Sequence, residues 1–142
     1  MIASLNGGSV TADSRRADAH RSTSATVEEV APLDELLSQT GNNRGLIVEL
    51  IEIFESESSN MIAELRRSLA ANDAKGVQAA AHRFRGSLRI FRVSRALDVA
   101  VDLESMGRAG VLDRAQARVR ELETDVDGAL ERLRSYRAQL TP

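Results

Sequence analysis

The chain has 142 residues, no Cys, two His and a formal net charge of −2. That length fits one domain, and the missing Cys excludes disulfides, a thiol nucleophile and thiolate metal sites. Two His are too few for a histidine metal centre unless carboxylates complete it, and an acidic balance argues against a general nucleic-acid binder.

Residues 1–28 are rich in Ser, Thr, Ala, Asp and Gly, with almost no large apolar residue after Val10. Such a composition buries too little surface to offset ordering entropy, so a disordered tail is expected there, with His20 a solvated residue within it. MIASLNGGSVTADSRRADAH lacks the continuous apolar core of a secretory signal. No apolar run approaches the roughly 18 residues of a membrane span. The expectation is a cytoplasmic protein that does not engage a membrane, its domain occupying residues 29–142.

Pro occurs only at positions 32 and 142, and the residues between them are rich in Ala, Leu, Glu and Arg. These are strong helix formers, and no period-two β-branched run interrupts them. Pro32 followed by LDELL predicts a short first helix ending before Gly41. Asn42 and Asn43 are candidate caps for a second, from about Arg44 to Ala71. Its stripe of Ile47, Leu50, Ile51, Phe54, Met61, Ile62, Leu65 and Leu69 recurs at three- and four-residue steps. Asn72-Asp73 offers the next cap, and a third helix runs from about Asp73 to Phe91. A fourth, capped by Ser94, runs to Met106 and stops at Gly107-Arg108-Ala109-Gly110. A fifth runs from about Leu112 to Gln139. Long amphipathic helices on short turns predict an all-α protein, an antiparallel bundle. Core candidates are Ile47, Leu50, Phe54, Leu65, Leu69, Phe84, Leu88, Leu97, Leu103, Leu122 and Leu133.

The third helix carries the unusual residues. At about 100° per residue, Val77, Ala81, Phe84, Leu88 and Phe91 share its core side. His82, Gly86, Arg89 and Val93 fall roughly opposite, with Arg85 at the edge. The imidazole therefore points to solvent. Gly86 costs about 0.5–1 kcal/mol relative to Ala in a helix interior, and it leaves a partner close access to the ring. Arg83, Arg85, Arg89 and Arg92 surround the imidazole with positive charge. A neutral imidazole is a nucleophile, and guanidinium groups pair with phosphoryl oxygens. The set fits a histidine that accepts an anionic group from a docking protein.

His82-Arg83-Phe84-Arg85-Gly86-Ser87 resembles the signature of the histidine-containing phosphotransfer (HPt) domains: His, any residue, an apolar residue, Lys, Gly, then a small residue. LIVELIEIFESESSNMIAELRRSLAANDAKGVQAAAH resembles the family's approach to the histidine, and ALDVAVDLESMGRAG the helix that follows it. The resemblance covers about Leu33 to Leu140. It implies an antiparallel four-helix bundle with a short extra N-terminal helix, and a phosphorelay role in which His82 takes a phosphoryl group from a receiver aspartate through Nε2 and passes it to another receiver. Arg85 would supply charge support, and Gly86, Arg89, Val93, Arg83 and Arg92 the docking surface. The implied partners are receiver domains of response regulators or hybrid histidine kinases. Mg²⁺ would sit on the receiver, with no cofactor or metal on this chain. Arg85 stands where the family has Lys, and Arg92 where it usually has Gly.

No Gly-rich phosphate loop indicates a kinase activity of its own. The alternative reading is an adaptor of the same fold that binds receivers without phosphotransfer. A kinase dimerisation hairpin has fewer helices than this. Glu49, Glu52, Glu55 and Glu57 read as a solvated helix face. With 3% aromatic residues the chain has little to stack on bases. A monomer is expected, because a bundle of this length closes its own core.

Overall fold

The computed structural model describes residues 30–142, so the expectation for residues 1–28, His20 included, lies outside them. Five helices follow in order: α1 (Leu33–Gln39), α2 (Arg44–Ala70), α3 (Ala74–Ile90), α4 (Ser94–Ala109) and α5 (Ala115–Leu140). The described residues contain no strand. The helix starts have identifiable causes. Asn43 Oδ1 accepts the Leu46 N–H at 3.0 Å, and Asp73 Oδ1 accepts that of Gly76 at 3.0 Å. Each satisfies one of the N–H groups that a helix start leaves unpaired. Ser94 does not cap α4: Val93 occupies the cap position, and no side chain accepts there.

Contacts run α2 to α3, α3 to α4, α4 to α5 and α5 back to α2, closing a ring. Paired residues show that neighbours are antiparallel. The start of α2 meets the end of α5 where Arg44 Nη2 donates to the Gln139 carbonyl at 3.3 Å, and late α2 meets early α5 at the Arg66–Glu123 ion pair. The core is one cluster. Phe54 stacks on Phe84 with ring centroids 6.4 Å apart and meets the edge of Phe91 at 5.4 Å. Leu65, Leu88, Leu103, Leu122 and Leu133 are buried around them. Each such side chain removed from water contributes about 1.5–3 kcal/mol. Of the expected core, Leu50, Leu69 and Leu97 are half-buried at its margin.

α1 is latched onto this ring. The Ala31 N–H donates to the Phe91 carbonyl at 2.9 Å, and the buried Tyr136 hydroxyl donates to the Ala31 carbonyl at 2.9 Å.

α4 does not end at Met106. It continues to Ala109 and turns at Gly110, whose φ of 75° is left-handed. Gly107 is therefore no turn residue but a buried position inside the helix. A Cβ placed on it would lie 2.6 Å from the Gln78 nitrogen and 2.7 Å from the Ala74 oxygen of α3. The missing side chain lets the two backbones approach one turn before His82. Overpacking there forces helices apart. We expect Gly107→Ala to lower the unfolding free energy by about 1–3 kcal/mol in a denaturant titration. Gly128 on α5, where an added Cβ meets nothing within 4 Å, serves as the control; alanine there is expected to gain about 0.5–1 kcal/mol.

Candidate functional site

The site is built where α3 crosses that close contact. Val77, Ala80, Ala81, Phe84 and Leu88 face inward. His82 therefore faces out, and its side chain is 67% exposed. One edge of the ring is nevertheless anchored. Nδ1 lies 2.9 Å from Oε2 of Glu104, on α4. Glu104 is only 5% exposed. Its other oxygen, Oε1, accepts from Arg85 Nη1, and Arg108 Nη2 donates to Oε2 at 3.3 Å.

The electrostatics fix the charge of the carboxylate. Burial pushes the Glu104 carboxyl up, but the hydrogen bonds and charges of Arg85 and His82 outweigh it, and the net shift is downward. Glu104 is therefore an ionised acceptor. The carboxylate can only accept, so the proton between it and the ring belongs to Nδ1, and Nε2 is the nitrogen that faces away from Glu104. Nε2 has no partner among the described residues.

The residues singled out from the sequence separate into two groups. His82, Gly86 and Ile90 form one row, four residues apart, and Ile90 is 49% exposed. An added Cβ on Gly86 would meet nothing within 4 Å, so the fold itself does not require glycine there. Arg89 is exposed beside the row, and its guanidinium has no partner among the described residues. Arg83 donates to Glu64 of α2 at 2.6 Å. Ser87 donates to Glu57 of the same helix.

Val93 does not belong to this surface. It is buried, 1% exposed. The helical wheel does not reach it, because α3 ends at Ile90 and Arg92 turns the chain with φ of 54°. Arg92 also stands apart from His82, roughly 15 Å along the helix direction, and its side chain pairs with Glu35 of α1. Its left-handed backbone accounts for the glycine usual at this position in the resembled family. Arg85 is half-buried against Glu104 instead of reaching out beside His82, and its Nε is buried without a hydrogen-bond partner.

Glu104 is not among the residues that the phase of α3 or its motif singles out. Its signal was a carboxylate set into the small, apolar stripe of α4, among Ala96, Ala100, Leu103 and Gly107, all buried. The other acidic run behaves as a helix face: Glu55 binds Arg134 at 2.6 Å and Arg137 at 3.0 Å, and Glu57 binds Ser87.

The Hpt domain family model matches residues 49–136. The chain belongs to the Hpt domain family. The crystal structure of histidine-containing phosphotransfer protein B (HptB) from Pseudomonas aeruginosa PAO1 is similar in fold. Its TM-score is 0.73 at 22% identity, over 78% of this chain and 96% of that one. No curated protein matches the sequence. In this Hpt domain the helical bundle expected from the sequence is present, and no described helix is long and apolar enough to cross a membrane.

Two outcomes test the site. Glu104 and Glu55 both have carboxyl groups held below their ordinary range, Glu55 chiefly by its bond from Arg134. A depressed folded value means the stability each contributes is complete above the unfolded value and is lost as pH falls through the folded one. Urea midpoints should therefore drop between about pH 5 and 3, and less steeply in Glu104→Gln. Gly86→Ala should raise the unfolding free energy by about 0.5–1 kcal/mol, measured in the same titration.

Proposed function

We propose that this Hpt domain carries a phosphoryl group on His82 between receiver domains. One observation carries the reading: an exposed imidazole has its Nδ1 tied to a buried carboxylate, so that Nε2 faces outward beside an open glycine. That is the arrangement of an oriented nucleophile, an imidazole whose tautomer is set by a third group.

The proposed step is an in-line transfer. Nε2 attacks the phosphorus of a receiver's aspartyl phosphate, the Nε2–P bond forms, and the P–O bond to the aspartate breaks. A second receiver's aspartate reverses the process. Phosphoryl transfer depends chiefly on positioning and charge. In this reading the receiver contributes the Mg²⁺ and the aspartate. This chain contributes the positioned ring and the positive charges of Arg83, Arg89 and Arg108 around it. Arg85 acts through Glu104, holding the oxygen that the ring does not use.

Docking is assigned to the row of His82, Gly86 and Ile90, with Arg89. Ile53 of α2 extends it. Ile53 lies one turn from Glu57 and Ile90 one turn from Ser87, and the Glu57–Ser87 bond sets those turns side by side. Ile53 is 52% exposed. The surface thus joins an apolar pair to an imidazole flanked by arginines, which fits a protein partner that presents an anionic phosphoryl group beside an apolar patch. Gly86 allows that partner to reach the ring.

Incubation with receivers radiolabelled on their aspartate, with Mg²⁺, tests the proposal. Acid-labile, base-stable label should appear on the wild type and be absent from His82→Gln. A receiver that binds both forms equally, without transfer, would establish the adaptor reading instead. Ile53→Asp should weaken receiver binding about tenfold or more, a loss of roughly 1.4 kcal/mol, in a calorimetric titration.

A further inference from the structure

A phosphoryl group on Nε2 would carry anionic oxygens that need donors of their own. We propose that an open cleft on the N-terminal side of His82 receives the group, with Lys75 and Gln78 as donors to its oxygens. The proposal rests on the reading of His82 as the acceptor.

The direction follows from helix geometry. Every Cα–Cβ bond of an α-helix tilts toward the N-terminus, so a helical side chain covers the turn before its own Cα. The ring of His82 therefore lies over Gln78 and Ala79, four and three residues earlier. The surface there is hollow. An open cleft of about 510 Å³ is lined by Lys75, Gln78, Ala79, His82, Arg83 and Glu104. Gly86 and Arg89 lie toward the C-terminal side of the ring, where the receiver is placed, and form none of the cleft's walls. Ala79 is exposed, and its single methyl leaves the floor open between Lys75 and His82.

The cations near the ring divide by whether they are already engaged. Arg83 donates to Glu64 at 2.6 Å. Arg85 and Arg108 both bind Glu104. The arginine at the signature position is thus turned away from the outer side of the ring. Glu104 forms the inner wall of the cleft, where its charge is matched by those two guanidinium groups and by the ring. Lys75 is exposed and Gln78 half-buried, and neither side chain has a partner among the described residues. The Lys75 ammonium carries three donors on a flexible four-carbon stem, which can follow a group as it arrives and leaves. Lys75 stands in the first turn of α3, with no earlier turn of the helix to lie against, so its stem is free to extend over the cleft. The Gln78 amide adds two N–H donors one turn before the histidine.

Lys75 is the chain's only lysine, so its side chain gives a single signal when lysine is labelled. The full chain in a His20→Gln background, labelled with ¹³C,¹⁵N-lysine, would be loaded with phosphoramidate, a small phosphoryl donor that needs no docking surface, or from a receiver if that donor fails. In loading by phosphoramidate the Nε2–P bond forms, the donor's P–N bond breaks, and its electron pair leaves with ammonia. The lysine side-chain resonance should shift on loading, and should stay in place in His82→Gln treated alike. Lys75→Met should load about tenfold more slowly, the loss of one hydrogen bond to a charged group, and Lys75→Arg should load within about twofold of the wild type. Ala79→Glu, which places a carboxylate in the cleft, should slow loading at least as much as Lys75→Met. Arg120→Met removes one cation from α5, diagonal to α3 in the ring of helices, and should load at the wild-type rate. A lysine resonance that does not move on loading would overturn the proposal, and it is read on the native Lys75, whether or not any variant folds. So would a Lys75→Met rate equal to that of Arg120→Met, with circular dichroism verifying that both are folded. Failure of His82 to take a phosphoryl group from phosphoramidate and from every receiver would sink the phosphotransfer reading itself, and shows before any variant is compared.

Discussion

A single carboxylate buried between α3 and α4 organises the functional face of this protein. Taking an ionised Glu104 out of water costs several kcal/mol, and an uncompensated charge there would be expelled or neutralised. Three donors offset the cost: the Nδ1–H of His82 and the guanidinium groups of Arg85 and Arg108. The compensation needs the helices close together. Gly107 supplies that closeness one turn away on α4, where any side chain would strike the backbone of α3. Packing and chemistry are thus set by the same contact. A helix pair spaced wider apart would still bury its apolar residues, but its carboxylate would no longer reach the ring.

This constraint explains the division of labour on α3. Its inner face, with Phe84 and Leu88, anchors the helix in the aromatic cluster shared with Phe54 and Phe91. Its outer face can then present a ring whose orientation comes from α4 instead of from burial. Arginine serves two ends here. Arg85 is turned inward and satisfies Glu104, leaving its own Nε without a partner. Arg89 remains on the surface. The contact of Arg85 is a single one, from Nη1 to Oε1, and the arginine at this point of the family signature is turned toward the acidic residue beneath it.

The α3–α4 turn shows a different compromise. Arg92 adopts a left-handed backbone that glycine or asparagine takes at the other turns, at Gly41, Asn42, Asn72 and Gly110. The conformation costs a side-chain-bearing residue about 1–2 kcal/mol. Its surroundings over-determine it: the Val93 N–H donates to the Leu88 carbonyl at 3.0 Å, Phe91 and Val93 are buried, and the side chain pairs with Glu35 on α1. The residue ties the bundle's short first helix to the end of the helix that carries His82.

Much of this was legible in the chain itself. Apolar spacing determined the five helices, and Asn43 and Asp73 determined where two of them start, because periodicity and capping are local properties. The outward direction of His82 and the exposure of Gly86 followed from the phase of α3 alone. What the phase could not supply was its own end. A wheel extended past the turn at Arg92 puts the buried Val93 on the surface, and Gly107 looks like a stop although it lies inside α4. Glu104 escaped because its partner is on another helix: a carboxylate in an apolar stripe is anomalous in sequence, but only the antiparallel register of α3 and α4 decides which group answers it. Local residues determined that the ring faces solvent. The tertiary contact decided which of its nitrogens is left without a partner among the described residues, because a hydrogen bond between helices depends on their spacing, and that spacing is set by packing.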